Sequence, residues 1–413
     1  MRLTVLLLCI LSGCFAQFIN YDGSKLYQLI PENEEHLEFL DFIQNSERYD
    51  FWSETRSLNI PAVVMVKGAA LENFWEALTS RGIKFKLLMN NVQRSIDNEK
   101  IRQKSSKPVG EGQISFTQYH RYDEIVSYLQ RLAVDYPEKV VLEEFGTSYE
   151  GRPLYVIKIG SGPSSNPAVL IDGGIHAREW ISPAVTLYTI KQLVENESNA
   201  DMIANVNWVI VVVLNPDGYE YTHTTNRLWR KTRRPGVQCI GVDMNRNFDF
   251  HWMGPGTSAN ECSETFAGPY AFSEPEAQSF AKLAQSMDNI FLYLGVHSYG
   301  QWLLYPWGFT TDLPENADEL QEVGERVAAA IKSINGTVYV TGTSPNLTYY
   351  VSGTTKDWAM GVAGARLSYT IELPGGGNAG FDLPAEKIMS VCEETWPGII
   401  EFYNYIVENT KRM

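Results

Sequence analysis

Apolar positions along this chain fall into two rhythms that trade places. Between residues 17 and 91, runs at 25–30, 62–66 and 83–88 read as strands. Two stretches with apolar residues three and four apart read as helices. One spans 32–44 with Leu37, Phe39, Leu40 and Ile43; the other carries Leu71, Phe74, Trp75 and Leu78 and stops at Gly82. This is a small α+β unit. Beyond residue 119 the elements lengthen. A helix over 119–136 sets Ile125, Tyr128, Leu129 and Leu132 on one face and ends before Pro137. Strands are predicted at 140–143, 154–159, 168–172, 208–214, 291–296 and 366–371. The run at 208–214 is almost continuously apolar, as a strand covered on both faces must be. Helices at 183–195, 274–285, 316–333 and 384–405 alternate with these strands. The pattern predicts an α/β domain with a central mixed, mostly parallel sheet and helices on both faces.

Residues 90–112 break both rhythms. They read as a polar connector bearing Lys100, Arg102, Lys104 and Lys107, and an exposed basic stretch suits a trypsin-like protease. The cut is open among Arg102, Lys104 and Lys107. At the start, Arg2 precedes an apolar run over 3–11, and Cys14 and Ala16 put small residues before Gln17. That is the pattern of a cleaved secretory signal over residues 1–16. The expected division is therefore signal 1–16, activation domain 17–91, connector 92–112 and main domain 113–413, together a secreted zymogen.

Charge and cysteines agree with that address. The formal net charge is −15, carried almost wholly by residues beyond 107. It disfavours nucleic acid and anionic membranes as partners. Cys239 and Cys262 bracket a loop rich in Gly, Pro and Ser, so a disulfide is expected between them. Cys392 is left as a buried thiol in an apolar helix. Asn196, Asn335 and Asn346 head sequons for glycans.

The candidate chemistry begins at Ile175-His176-Ala177-Arg178-Glu179-Trp180, directly after the 168–172 strand and two glycines. Imidazole and carboxylate three residues apart are two zinc donors of the three that a catalytic site needs. Alone, the pair reads more readily as a partly exposed polar loop than as a metal site. Among six histidines, His297 follows another apolar strand and Glu372 ends a third; ligands gather at strand ends in such sheets.

The motifs in order are distinctive: His176-Ala177-Arg178-Glu179-Trp180, Asn215-Pro216-Asp217-Gly218-Tyr219, Asn226-Arg227-Leu228-Trp229-Arg230, Asp243-Met244-Asn245-Arg246, His297-Ser298-Tyr299, Tyr349 with Ser352-Gly353, and Ile371-Glu372-Leu373. By these the chain resembles the zinc metallocarboxypeptidases of the A/B type, as a secreted digestive procarboxypeptidase. The resemblance implies a small open-sandwich activation domain and one Zn²⁺ held by His176, Glu179 and His297. Asp243 matches the carboxylate behind His176. Glu372 matches the general base that takes a proton from the attacking water and delivers it to the leaving amine. Arg230 matches the group that polarises the scissile carbonyl. Arg246 with Asn245 matches the clamp on a free C-terminal carboxylate, which a guanidinium fork binds bidentately. Arg178 and Arg227 match outer substrate contacts, and Tyr349 a tyrosine that closes over the terminal residue. A cis peptide bond between Ser298 and Tyr299 is implied too. The implied partners are peptides with a free C-terminus and the activating protease, and the chain is expected to act as a monomer.

The pocket departs from the family's two common patterns. Its base matches Lys356, and its walls match Ser344, Thr348, Val351, Thr354 and Thr370. A lone ammonium there implies preference for C-terminal Glu. If the lysine turns away, an aliphatic pocket of the A type remains. Two other readings stand beside these: an amidohydrolase of N-acyl amino acids, and an inactive binding protein on the same fold.

Overall fold

Two sheets organise the chain, and the face each one hides explains its composition. The computed structural model describes residues 18–44, 46–53, 58–105, 109–376 and 380–410. The expected signal segment, Lys107 and Gly377 fall outside them. The small sheet is antiparallel in the order β2-β3-β1-β4, with β1 Lys25–Ile30, β2 Tyr49–Ser53, β3 Ala62–Val66 and β4 Lys84–Met89. Helices Glu34–Gln44 and Leu71–Arg81 cover one face, burying Tyr27, Leu29, Val64, Phe39, Phe74 and Leu78. The second helix stops at Gly82, which takes φ 67° and donates its N–H back to Leu78 O. The opposite face turns Leu26, Trp52, Val63 and Met65 toward Leu228 and Phe381 of the large domain. This is why all of β3 is apolar: both of its faces are covered.

The polar connector is largely a helix, Val92–Ser105. Val92 and Ile96 are buried against the large domain, and Glu99 and Gln103 continue the stripe at three- and four-residue spacing. A stripe that turns from apolar to polar half-way carries little periodic signal. Strand β2 likewise carries no clear strand pattern, since its short run includes Asp50 and Ser53.

The large sheet has the order β11-β10-β12-β9-β7-β8-β6-β5. Its strands are β5 Val140–Thr147, β6 Pro153–Ile159, β7 Ala168–Gly173, β8 Asn207–Val211, β9 Ile290–Ser298, β10 Trp302–Tyr305, β11 Val340–Thr343 and β12 Leu367–Leu373. The four central strands, β12-β9-β7-β8, run parallel, and antiparallel pairs flank them. The mixed, parallel-centred sheet is as expected. Helices Tyr122–Asp135, Ile181–Glu195, Ala317–Asn335 and Ile388–Thr410 pack with Val169, Ile171, Leu292, Leu294 and Val296. The helices Pro275–Gln285 and Thr355–Gly361 lie with Leu170, Val209 and Tyr293 on the other face. Cys239 and Cys262 are joined, and Cys392 is a buried free thiol. Among the described residues no helix is long and apolar enough to cross a membrane.

Candidate active site

The site lies where the parallel strands end. As β7 leaves the sheet, Gly174 takes φ 61°, and a Cβ there would press within 3.2 Å of Pro183 and Val213. This close turn carries the chain directly into His176 and Glu179. Hydrogen bonds hold it, among them Gly174 N to Ser182 Oγ (3.0 Å), Asn215 N to Gly174 O (3.1 Å), Ala177 N to Arg230 O (3.1 Å) and Asn215 Nδ2 to Ile175 O (3.3 Å). His297 ends β9, and Glu372, its register partner on β12, stands opposite it.

His176, Glu179 and His297 converge, all buried. Glu179 Oε1 lies 2.7 Å from His176 Nδ1, Glu179 Oε2 lies 3.1 Å from His297 Nδ1, and the two Nδ1 atoms are 3.2 Å apart. Ligands about 2.0 Å from a tetrahedral ion would be roughly 3.3 Å from one another. The donor set and its spacing therefore fit zinc, from Nδ1 of each imidazole and the carboxylate of Glu179. The other histidines, His36, His120, His223 and His251, stand outside this cluster.

Asp243 sits behind the donors and serves three groups. Its Oδ1 is 3.1 Å from His176 Nε2, its Oδ2 accepts from Arg230 Nη2 at 2.8 Å, and Arg246 Nη1 is 3.6 Å away. Burial alone would raise the Asp243 carboxyl, but Arg230, Arg246 and His176 hold it well below the usual range. Glu179 is likewise lowered despite burial, by the two imidazoles. Glu372 goes the other way. Burial raises it to about 7; His297 pulls it down and Glu179 pushes it up.

One cleft brings the remaining expected residues together. It is lined by His176, Glu179, Arg230, Asn245, Arg246, His297, Tyr349, Lys356 and Glu372, and by the five predicted wall positions Ser344, Thr348, Val351, Thr354 and Thr370. Asn245 is oriented by Thr355, whose N–H and hydroxyl both donate to its Oδ1. Arg246 is held by Gly256 O through Nε and by Asn245 O through Nη1. The peptide bond between Ser298 and Tyr299 is cis.

At the pocket base one expectation needs correction. Lys356 is buried and lines the cleft, but it is not a lone ammonium. Its Nζ lies 2.8 Å from Asp357 Oδ1 and 3.3 Å from Tyr305 O. The adjacent residue in its own helical turn supplies the counter-charge. Asp357 Oδ2 in turn accepts from Gly308 N.

Arg178 and Arg227 face the small N-terminal domain and its helix, and not an open groove. Arg178 Nη1 bonds both oxygens of Asp50 on β2, at 3.0 and 2.9 Å. Arg227 forks onto Glu99 of the Val92–Ser105 helix and also donates to Phe381 O. Trp52 packs its ring 5.3 Å from Phe381 and lines the cleft. No motif in the sequence marks Asp50, Trp52, Glu99 or Phe381. Their signal was weak, since each is a single residue whose importance comes from a partner more than a hundred positions away.

Comparison with known proteins decides the family. The zinc carboxypeptidase profile matches residues 125–398, and the carboxypeptidase activation peptide profile matches residues 27–99. This chain belongs to the zinc carboxypeptidase family. It is similar to carboxypeptidase B of Astacus astacus, with 43% identity over 71% of this chain and 98% of that protein. It is also similar to zinc carboxypeptidase A 1 of Drosophila melanogaster, with 37% identity over 93% of this chain and 92% of that one. Among solved structures, carboxypeptidase A from Helicoverpa armigera superposes with a TM-score of 0.90 at 33% identity, covering 95% of this chain and 99% of that one. The carboxypeptidase described here is thus a metallo-exopeptidase zymogen. Its relatives carry both A and B names, so membership leaves its side-chain preference undecided.

Proposed function

We propose that the mature enzyme removes the C-terminal residue of peptides with a preference for glutamate, and that the zymogen is secreted and cut by a trypsin-like protease. The observation that carries the preference is Lys356, the buried cation lining a pocket whose walls bear four hydroxyl side chains. Its ammonium spends two of its three donors on Asp357 and Tyr305 O, so one is left for a substrate carboxylate.

The other roles follow from charge and reach. His176, Glu179 and His297 hold the zinc, which when bound supplies Lewis-acid polarisation and a low-pKa water. Glu372, with its carboxyl near neutral, is suited to accept a proton from the attacking water and return it to the leaving amine. Arg230 stands beside the donors, with Nη1 4.0 Å from Glu179, in reach of a scissile carbonyl. Arg246 and Asn245 hold the terminal carboxylate, and Tyr349 on the same cleft wall covers the terminal residue. Arg178 and Arg227, freed from Asp50 and Glu99, take the substrate's preceding residues. Asp243 keeps His176 turned to the metal. Secretion is supported by the leader pattern of residues 1–16 and by the Cys239–Cys262 disulfide.

A second reading, an A-type pocket for uncharged side chains, is favoured by the Lys356–Asp357 pair, which is neutral overall. Peptides differing only in a C-terminal Glu, Leu or Phe separate the two. The glutamate reading expects the highest kcat/KM for Glu, with the preference lost in Lys356→Met. A higher kcat/KM for Leu or Phe would reject it.

A further inference from the structure

The two histidines of the metal site are supported unequally. His176 has Asp243 behind its Nε2. The Nε2 of His297 is buried and has no partner among the described residues. A metal-holding imidazole ordinarily donates its outer N–H to a carboxylate, carbonyl or water, which fixes the tautomer and strengthens the inner nitrogen as a donor.

A matching orphan lies one strand away. Asp172, fully buried on β7, accepts from the Tyr293 phenol at 2.5 Å through Oδ2, while its Oδ1 has no partner. In a parallel pair, register partners share a face, and Asp172 is in register with Gly295 of β9. Side chains alternate along a strand, so Tyr293, position 295 and His297 lie on that face together. Position 295 has no side chain. A Cβ built there would stand 2.8 Å from Tyr293 Oη and 3.7 Å from His297 Cδ2, the ring carbon next to Nε2. Any side chain at 295 would therefore crowd both the Tyr293–Asp172 pair and the outer edge of His297. An ordered buried water needs polar partners on more than one side, and the unpartnered Asp172 Oδ1 and His297 Nε2 supply them.

We propose that Asp172 is the outer partner of His297, acting through one bridging water beside Gly295, where any larger residue would intrude. Asp172 is a positioning residue: it fixes the proton of His297 on Nε2 and so keeps Nδ1 free for zinc. Each imidazole of the site then has its own carboxylate, direct for His176 and water-bridged for His297. This assignment rests on His297 being a zinc ligand.

Zinc affinity of the full-length chain tests it, measured by competition with a chromophoric chelator, alongside the melting temperature of the metal-free protein. The parent is expected to bind one zinc. Asp172→Asn keeps the shape and the Tyr293 contact, and is expected to weaken zinc binding about 10- to 100-fold with the metal-free melting temperature unchanged. Gly295→Ala is expected to weaken zinc in the same direction with Asp172 intact, and it carries the test if Asp172→Asn does not fold. In the cobalt-loaded protein, the visible band should shift in both variants. Zinc affinities within twofold of the parent overturn the proposal, as does a lowered metal-free melting temperature with unchanged zinc affinity, which would make Asp172 a fold element. A parent that takes up no zinc overturns the ligand assignment and this inference together.

Discussion

Glu372 and His297 stand directly opposite each other at the ends of β12 and β9, in register across two parallel strands. Parallel pairing puts both side chains on one face, so the sheet itself sets the base beside the metal ligand. Glu372→Gln keeps that shape and removes the proton acceptor. We expect kcat to fall by about 10²- to 10⁴-fold while zinc affinity stays close to that of the parent. Steady-state kinetics with a zinc titration check this; unchanged kcat would rule Glu372 out as the base.

Arg246 separates an exopeptidase from an endopeptidase. Its guanidinium is already aimed by Gly256 O and Asn245 O, and the planar fork has no equivalent in an ammonium. Arg246→Lys should raise KM far more than it lowers kcat for substrates with a free terminus. Amidating the terminus of the substrate should cost the parent most of its activity and cost the variant little more than it has already lost. If the parent cuts amidated and free peptides equally well, the clamp is assigned wrongly.

The zymogen is closed by charge as well as by bulk. Arg178 has Asp50 at 2.9 Å and Glu264 at 3.9 Å, so removing Asp50 does not strand a buried cation. A hydrogen bond to a charged group contributes about 1.5–3 kcal/mol. Asp50→Ala, in a chain made uncuttable by Arg102→Gln, Lys104→Gln and Lys107→Gln, should therefore show about ten- to a hundredfold more residual activity than the uncuttable parent. Equal residual activity would place the closure elsewhere, with Trp52 and Phe381 the next pair to change.

Much of this arrangement was legible in the residues. The 168–172, 291–296 and 366–371 runs located the three strand ends, because buried parallel strands are apolar throughout and their first polar residues are conspicuous. What stayed hidden were contacts that depend on a partner far away in the chain. The 92–105 helix reads as a linker until its stripe of Val92, Ile96 and Glu99 meets Leu228, Phe381 and Arg227. Lys356 is another case. The family resemblance puts it in the pocket, but a resemblance cannot tell whether Asp357 turns outward or, as it does, back onto the ammonium. Asp172 looked like the last residue of a strand, and only register with Gly295 relates it to His297.

Glu276 gives a pH dependence with a definite sign. It lies buried on the Pro275–Gln285 helix; Oε1 accepts from Tyr149 N at 2.8 Å and Oε2 has no partner. Burial raises its carboxyl to about 8, opposed by the Tyr149 N–H and reinforced by Glu274 and Asp217. In the unfolded chain a glutamate titrates near ~4.3. Between these values the folded protein holds a proton that the unfolded chain has released. Its contribution to stability is fully present below the unfolded value and is lost as pH rises through about 8. The loss is at most about 1.4 kcal/mol per pH unit. Glu276→Gln carries no titrating proton and keeps the acceptor for Tyr149. Urea unfolding of parent and variant zymogens should give similar midpoints near pH 4 and a growing advantage for the variant toward pH 8.5. A difference that stays constant across that range would mean that Glu276 ionises normally in the folded protein.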